Sequence, residues 1–425
     1  MGLTMFSPLR QRNFGKLFIA QLFSDLGNWL DFIALNTLVV YAWGLGPEAV
    51  AALVITLGLP WVVIGPLASV WTDRAPKRLV MILSDLMRFI IVLTLFWAPN
   101  LYILLPLVFL KGACGAVFDP ARQSAIRMIV PTEMLAQAVS LSQLSVQSTK
   151  ILAPTLGGAL VSMIGPRSTF LIEAVLFLLS AFILWMLPDL KSDVSSNESV
   201  EMKGGFWKQL REGWAYVVTN RMLLIGTLSI MFALSINFMY DGLFPLWTKQ
   251  MDFSEQVFGM MISAIGFGSV LGAVLFGQFT IWQKGPLMMM SFGAIAAGSQ
   301  VLLMGLGGQG FLSLELYSWF IVFLLMGISA SALFVPFGYI IQTETPQRMM
   351  GRVSATANAI QNGAMLLSPS IGAFLVKVIG LGFVFSGSGI CLALFGMVVL
   401  MIAFRLHKRK SDMDDSHIAE KDSAV

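Results

Sequence analysis

Runs of about 20 apolar residues, each long enough to cross a hydrocarbon core as a helix, recur along almost the whole chain of 425 residues. They lie at residues 14–43, 48–71, 79–98, 101–118, 136–164 and 168–187, and again at 221–247, 256–280, 286–306, 311–333, 352–379 and 382–406. Short polar breaks separate them, without the period-two alternation that a spanning barrel strand requires. Only 12% of the residues are charged and 57% are hydrophobic, whereas a soluble domain carries about 25% charge. The chain therefore reads as an all-α membrane protein with twelve transmembrane helices. The first run is too long for a signal-peptide core and no small-residue cleavage site closes it, so it is expected to remain as a span.

Between the two sets of six lies a polar stretch with KSDVSSNESVEMKGG at its centre. It divides the chain into an N-terminal six-helix bundle at 1–187, a linker at 188–220, a C-terminal six-helix bundle at 221–406 and a tail at 407–425. The linker ends in GFWKQLREGWAYVV, where Phe206, Leu210, Trp214 and Val217 share one helical face away from Lys208 and Arg211, as in a helix lying on a membrane surface. Lys and Arg concentrate in one set of short loops, among them Arg10, Arg12, Lys16, Arg74, Lys77, Arg78, Arg122, Arg127, Lys284, Arg348 and Arg352, while the opposite set holds Arg167 and Lys249. By the positive-inside rule both termini and the linker face the cytoplasm of a cell membrane. The acidic tail SDMDDSHIAEKDSAV is expected to lack structure.

The chain repeats itself. PTEMLAQAVSLSQLSVQSTKILAPTLGGALVSMIG, from Pro131, aligns without a gap on PQRMMGRVSATANAIQNGAMLLSPSIGAFLVKVIG, from Pro346, and pairs such as Pro154/Pro369, Gly157/Gly372 and Gly165/Gly380 share a spacing of 215. A repeat after six helices keeps the same topology in both halves, so the halves are expected to be related by an axis along the membrane normal, with a site at midplane depth, as in transporters.

Several function classes are disfavoured. A net charge of +4 without a basic, aromatic-laced face gives no nucleic-acid partner. Cys114 and Cys391 lie in apolar helices, and both histidines, His407 and His417, lie in the tail, so no metal or other cofactor is expected and an enzyme is disfavoured. A receptor lacks an extramembrane domain to receive its signal, and without a P-loop ATP drive is not indicated.

Ionisable residues at bilayer depth are costly and mark pathways by default. Here they are Asp25, Asp31, Asp85, Arg88, Lys111, Lys150, Glu173 and Asp241. In QLFSDLGNWLDF, Gln21, Asp25 and Asn28 share a stripe at 100° per residue, with Asp31 at its edge. Lys111 falls near the middle of the fourth run, with Gly112 and Gly115 opening room around it, and needs a counter-charge that Asp25 or Asp31 can supply. Glu173 and Asp241 lie nearer the outer surface and are weaker candidates. Asp85 and Arg88, spaced i, i+3, are expected to join Asp73 and Arg122 in a rim network that holds one state closed. Pro154 bends the fifth helix and Gly157 and Gly158 admit a close neighbour, which suits a gate.

Four stretches carry a resemblance to a known family. GPLASVWTDRAPKRLV holds Gly65, Asp73, Arg74, Lys77 and Arg78 and resembles the loop signature of the major facilitator superfamily, with Ala75 and Pro76 where a glycine is usual. KILAPTLGG, from Lys150, resembles that family's antiporter motif, with Ala153 in its first glycine position. Together with SDLGNWLDFIAL and FDPARQSAIRMIVPTEMLAQAVSLSQL, these resemble the drug and macrolide-efflux branch. Lys111 and Gly115 have the spacing of that family's Arg and Gly in the fourth helix, and the resemblance places the first and fourth helices on a central cavity. It implies a secondary active exporter of small amphipathic compounds, coupled to protons and working in the lipid bilayer by alternating access; the protein is expected to act as a monomer, and the polar stripe of the first helix facing Lys111 makes Asp25 the first choice for the proton carrier and Asp31 the second. The alternative is a dedicated exporter of a siderophore, peptide antibiotic or lipid without proton coupling.

Overall fold

A computed structural model describes residues 7–72, 75–131, 134–189 and 206–422, and among these every regular element is helical. Six long helices come first: α1 (Arg12–Thr37), α2 (Pro47–Thr72), α3 (Lys77–Phe96), α4 (Leu101–Ile129), α5 (Leu135–Ile164) and α6 (Pro166–Trp185). Then follow α7 (Phe206–Thr219), α8 (Arg221–Asp241), the short α9 (Phe244–Gln250), α10 (Glu255–Gln278), α11 (Pro286–Gly308), α12 (Leu316–Glu344), α13 (Gln347–Ile379) and α14 (Leu381–Asp422). Among the described residues nine helices are apolar and long enough to cross a membrane. In α1 Asp25 and Asp31 interrupt the apolar run, and α5 and α13 contain the shorter apolar stretches Thr155–Ile164 and Leu366–Ile379 among the described residues.

Local chemistry sets the ends. Asn100 caps α4 by accepting a hydrogen bond from the Ile103 amide at 3.1 Å. The sequence repeat reappears in the backbone: Gly165 at φ 82° closes α5 and Gly380 at φ 90° closes α13, each donating its amide to a carbonyl four residues back. A side chain would strain both turns, so glycine serves both copies. The tail differs from expectation. The α14 helix continues to Asp422, because no Gly or Pro after Gly396 interrupts it.

Contacts divide the chain into two units. The first combines the described residues within Met1–Gly204 with Asp241–Gly266 and Met365–Phe374. At the end where α1 begins, its core joins Phe14, Leu17 and Ala20 to Met81, Phe118, Ala121, Ile126, Leu141 and Leu184. The second unit packs Leu223 and Ile230 against Met290, Ala294, Leu333, Phe337, Ile340 and Leu392. Lipid tails are as apolar as these side chains, so close packing, more than water exclusion, holds such helices together. Between α11 and α14 it reaches backbone contact: a Cβ on Gly298 would lie 2.6 Å from the Gly389 carbonyl oxygen. Of the α7 stripe, Val217 is buried in the second core while Trp214 remains 39% exposed; the side chains of Phe206, Lys208 and Leu210 and the linker residues 190–205 lie outside the described residues.

Candidate functional site

Helix α1 presents Gln21, Ser24, Asp25, Asn28 and Asp31 at steps of one, three or four residues, so these polar groups run up its length. The first unit meets them with three charge clusters at different heights.

The lowest lies toward the start of α1. Arg122 on α4 approaches Asp25 at 3.5 Å and also pairs with Asp119 one turn earlier on its own helix. Gln21 donates to Asp25 at 3.0 Å and to the Ser142 carbonyl at 2.9 Å, and Ser145 on α5 donates to Asp25 at 3.3 Å. One guanidinium thus faces two carboxylates. Their side chains keep 13% and 35% of their surface.

The middle cluster pairs Arg88 with Asp85 on α3, both fully buried. Ser24 donates to Asp85 at 3.1 Å and Ser180 at 2.6 Å, while Arg88 donates to Asn28 at 3.3 Å. The guanidinium stands over the rings of Phe118 and Phe177 at 4.7 and 4.6 Å from their centroids, as a desolvated arginine does on aromatic faces. The Asp85–Arg88 pair, expected in a rim network, sits inside the bundle, and Arg122, expected there too, pairs with Asp25 and Asp119. Asp73, the other expected member, and Arg74 lie outside the described residues.

The third cluster centres on Lys111. Its Nζ lies 2.6 Å from Asp31 on α1 and 2.6 Å from Glu173 on α6. Asp31 and Glu173 have no accessible surface and Lys111 only 2%. No described residue donates a hydrogen bond to Asp31 Oδ1 or Glu173 Oε2. One ammonium against two ionised carboxylates leaves the triad one negative charge in excess, away from the accessible surface, and a single proton neutralises it. Phe177, one turn along α6 from Glu173, separates Lys111 from Arg88, with the ammonium 6.0 Å from its centroid. Gly27 admits that ring, since a Cβ there would come within 2.9 Å of it.

The sequence leaves open which aspartate holds the lysine; Asp31 does. Glu173, which looked peripheral, joins it, and the signal was the i, i+4, i+7 stripe of Glu173, Phe177 and Ser180. Asp119 went unread although it precedes Arg122 by three residues. Gly112 and Gly115 open no space for Lys111: they seat Pro60 and Trp61 of α2, with Asn28 also beside Gly115. Asp241 ends α8 and makes no ion pair among the described residues.

In the expected gate, the side chains of Lys150 and Pro154 lie outside the described residues, but both glycines are tightly placed. A Cβ on Gly157 would meet the Leu30 carbonyl oxygen, and one on Gly158 the Gly259 carbonyl oxygen of α10. Ser263 donates to the Thr155 carbonyl at 2.9 Å. Beyond Asp31 the helix loosens into a π-helical turn, Leu38–Ala42. There Lys249 donates to the Val40 carbonyl at 2.9 Å, and the Tyr41 and Thr248 hydroxyls lie 2.5 Å apart. In the loop signature, Gly65 faces open space, Lys77 is buried, and Arg78 binds Asp189 and the Trp185 carbonyl, each at 2.5 Å.

The sequence model of the Major Facilitator Superfamily matches residues 17–369. The chain is 27% identical over 398 residues to the uncharacterized MFS-type transporter YfiS of Bacillus subtilis (strain 168), covering 92% of this chain and 93% of that one. It is 24% identical over 380 residues to macrolide efflux protein A of Streptococcus pyogenes, covering 84% and 88%. It is 26% identical over 323 residues to the enterobactin exporter EntS of Escherichia coli O1:K1 / APEC, covering 73% and 71%. A crystal structure of a bacterial homolog to the human lysosomal transporter Spinster, inward-facing and unoccupied, has a TM-score of 0.65 at 16% identity, covering 94% of this chain and 98% of that one. That likeness is one of fold, all-helical among the described residues.

Proposed function

As the chain belongs to the Major Facilitator Superfamily, we propose that it is a secondary active exporter of small amphipathic compounds of the drug or antibiotic type, driven by proton antiport through alternating access. Membership makes it a multi-pass membrane transporter of small molecules and not an enzyme. Export, rather than uptake, is supported by the names of two relatives and by the antiporter-like motif around Gly157 and Gly158.

Coupling to protons rests on one observation: the sealed Asp31–Lys111–Glu173 triad holds one carboxylate more than it holds cations. An intramembrane charge left uncompensated is expensive, so a proton taken from the aqueous phase onto either carboxylate relieves that cost. Taking it up or releasing it changes how strongly Lys111 holds α1 to α6. This moves the preferred carrier from Asp25 to Asp31 and Glu173, because Asp25 keeps some exposure and an arginine partner. We place the protein in the cell membrane with both termini cytoplasmic, acting as a monomer.

Purified protein in liposomes with an imposed pH gradient should move a fluorescent lipophilic cation such as ethidium. A broad dye panel without any response to the gradient would sink proton coupling. Likeness to the enterobactin exporter favours a second reading, a dedicated siderophore exporter; susceptibility and siderophore-secretion profiles of an export-deficient host expressing the chain separate the two.

A further inference from the structure

We propose that Phe177 is a positioning residue that keeps Arg88 from neutralising the Asp31–Lys111–Glu173 triad, so that a proton supplies the missing positive charge there; the proposal rests on the proton-coupled reading above. The register of two helices carries it. Along α1, Ser24, Gly27 and Asp31 follow at steps of three and four residues, and along α6 Ser180, Phe177 and Glu173 do the same in the opposite sense, so the two stripes meet in three rungs. In the first rung Ser24 and Ser180 both donate to Asp85, at 3.1 and 2.6 Å. In the third, Asp31 and Glu173 both bind Lys111, each at 2.6 Å. The middle rung is apolar: the tip of the Phe177 ring rests on Gly27, where a Cβ would lie 2.9 Å from its Cζ, and the ring has no accessible surface. Arg88 and Lys111 stand 4.6 and 6.0 Å from its centroid, so the same ring attracts both cations and holds them apart.

Arg88 is not tied down by its hydrogen bonds alone. Besides its pair with Asp85, it donates to the Ser84 carbonyl and to Asn28 only over 3.4 and 3.3 Å, and a guanidinium carries five donors. With the ring removed, a guanidinium facing a buried carboxylate in excess turns toward it. The charge of the two clusters together is then unchanged, but the negative excess spreads from Glu173 onto Asp85, and no single carboxylate holds a proton as tightly. With the ring in place the step stays local: a hydronium ion gives its proton to a carboxylate oxygen of Asp31 or Glu173 and leaves as water. The titratable and charged groups around the ring are Asp25 and Asp31 on α1, Asp85 and Arg88 on α3, Lys111, Cys114, Asp119 and Arg122 on α4, and Glu173 on α6. Arg122 is taken by Asp25 and Asp119, and Lys16, Arg78 and Arg167 bind carbonyls at helix ends. The side chain of Lys150, the one charged residue of α5, lies outside the described residues.

The test is an infrared difference titration of the full-length protein in liposomes, following the carboxylic acid C=O stretch that is lost in Glu173→Gln. Phe177→Ala should lower the pH midpoint of that band by about one unit, a tenfold loss of proton affinity. Removing the neighbouring pair in a charge-balanced way, by Asp85→Asn with Arg88→Gln, should leave the midpoint in place while Phe177 is present and should restore it in Phe177→Ala. A merely structural role for the ring would not make its effect depend on Arg88. An unmoved midpoint in Phe177→Ala overturns the proposal, while the titrating band keeps the triad as proton site. A lowered midpoint that Asp85→Asn with Arg88→Gln does not restore also overturns it, because water entering the space of the ring, and not Arg88, then stabilises the ionised triad. Where Phe177→Ala does not fold, Phe177→Val is read in its place with the same expected sign. A band that does not titrate in the unsubstituted protein overturns the proton-coupled reading together with this proposal.

Discussion

Asp31 on α1 and Glu173 on the neighbouring α6 each approach Lys111 to 2.6 Å, and neither carboxylate retains accessible surface. A lysine shared in this way cannot be removed without leaving two buried acids uncompensated. Lys111→Met should therefore destabilise the protein by on the order of 3–5 kcal/mol, read as a lower thermal midpoint in detergent. Adding Asp31→Asn and Glu173→Gln to the same chain should restore most of the loss, because the charge that Lys111 balanced is then gone.

Glu173→Gln alone removes the excess negative charge but keeps a side chain of the same size. It should fold, and dye efflux should lose its dependence on the pH gradient while substrate binding persists. Asp25→Asn should keep the gradient dependence. The check is efflux rate against imposed gradient in liposomes, and loss of the gradient response in Asp25→Asn but not in Glu173→Gln would return the proton to the lower cluster.

Arg88 is held by shape as well as by charge. Arg88→Lys keeps the cation beside Asp85 but forfeits the planar stack between Phe118 and Phe177 and the reach to Asn28. A loss on the order of 2 kcal/mol is expected, with an unchanged pH response. Chemical denaturation of the two proteins side by side measures the first, and the liposome assay the second.

Lys249 and Tyr41 hold the far end of α1 to α9. The ammonium sits on a carbonyl of the π-helical turn, at the negative end of the helix, and Tyr41 shares a hydrogen bond with Thr248. Lys249→Met combined with Tyr41→Phe should let this end open more often. A cysteine placed at the buried Leu38, in a background without Cys114 and Cys391, should then react several-fold faster with a membrane-impermeant maleimide.

Hydropathy and periodicity are local properties, and what depended on them could be read directly. The apolar runs became long helices, Gly165 and Gly380 became matching helix ends, and the polar residues of α1 came out on one stripe. The depth of Lys111 along α4 followed from counting residues at a fixed rise.

Pairing is different, because it depends on which helices touch. Asp25 and Asp31 are equally plausible partners for a lysine on another helix until α4 is set against α1 at one height. Only then does Lys111 meet Asp31, and Arg122, about three turns further along α4, meet Asp25. The stripe of Glu173, Phe177 and Ser180 marks one face of α6, but nothing local says that this face meets Lys111. Gly112 and Gly115 likewise showed that something comes close, but not that it is Pro60 and Trp61. The sequence by itself determined which groups are placed in the membrane and on which helical face; the tertiary structure decided who neutralises whom, because a Coulomb partner is fixed by distance across helices and not by spacing along one.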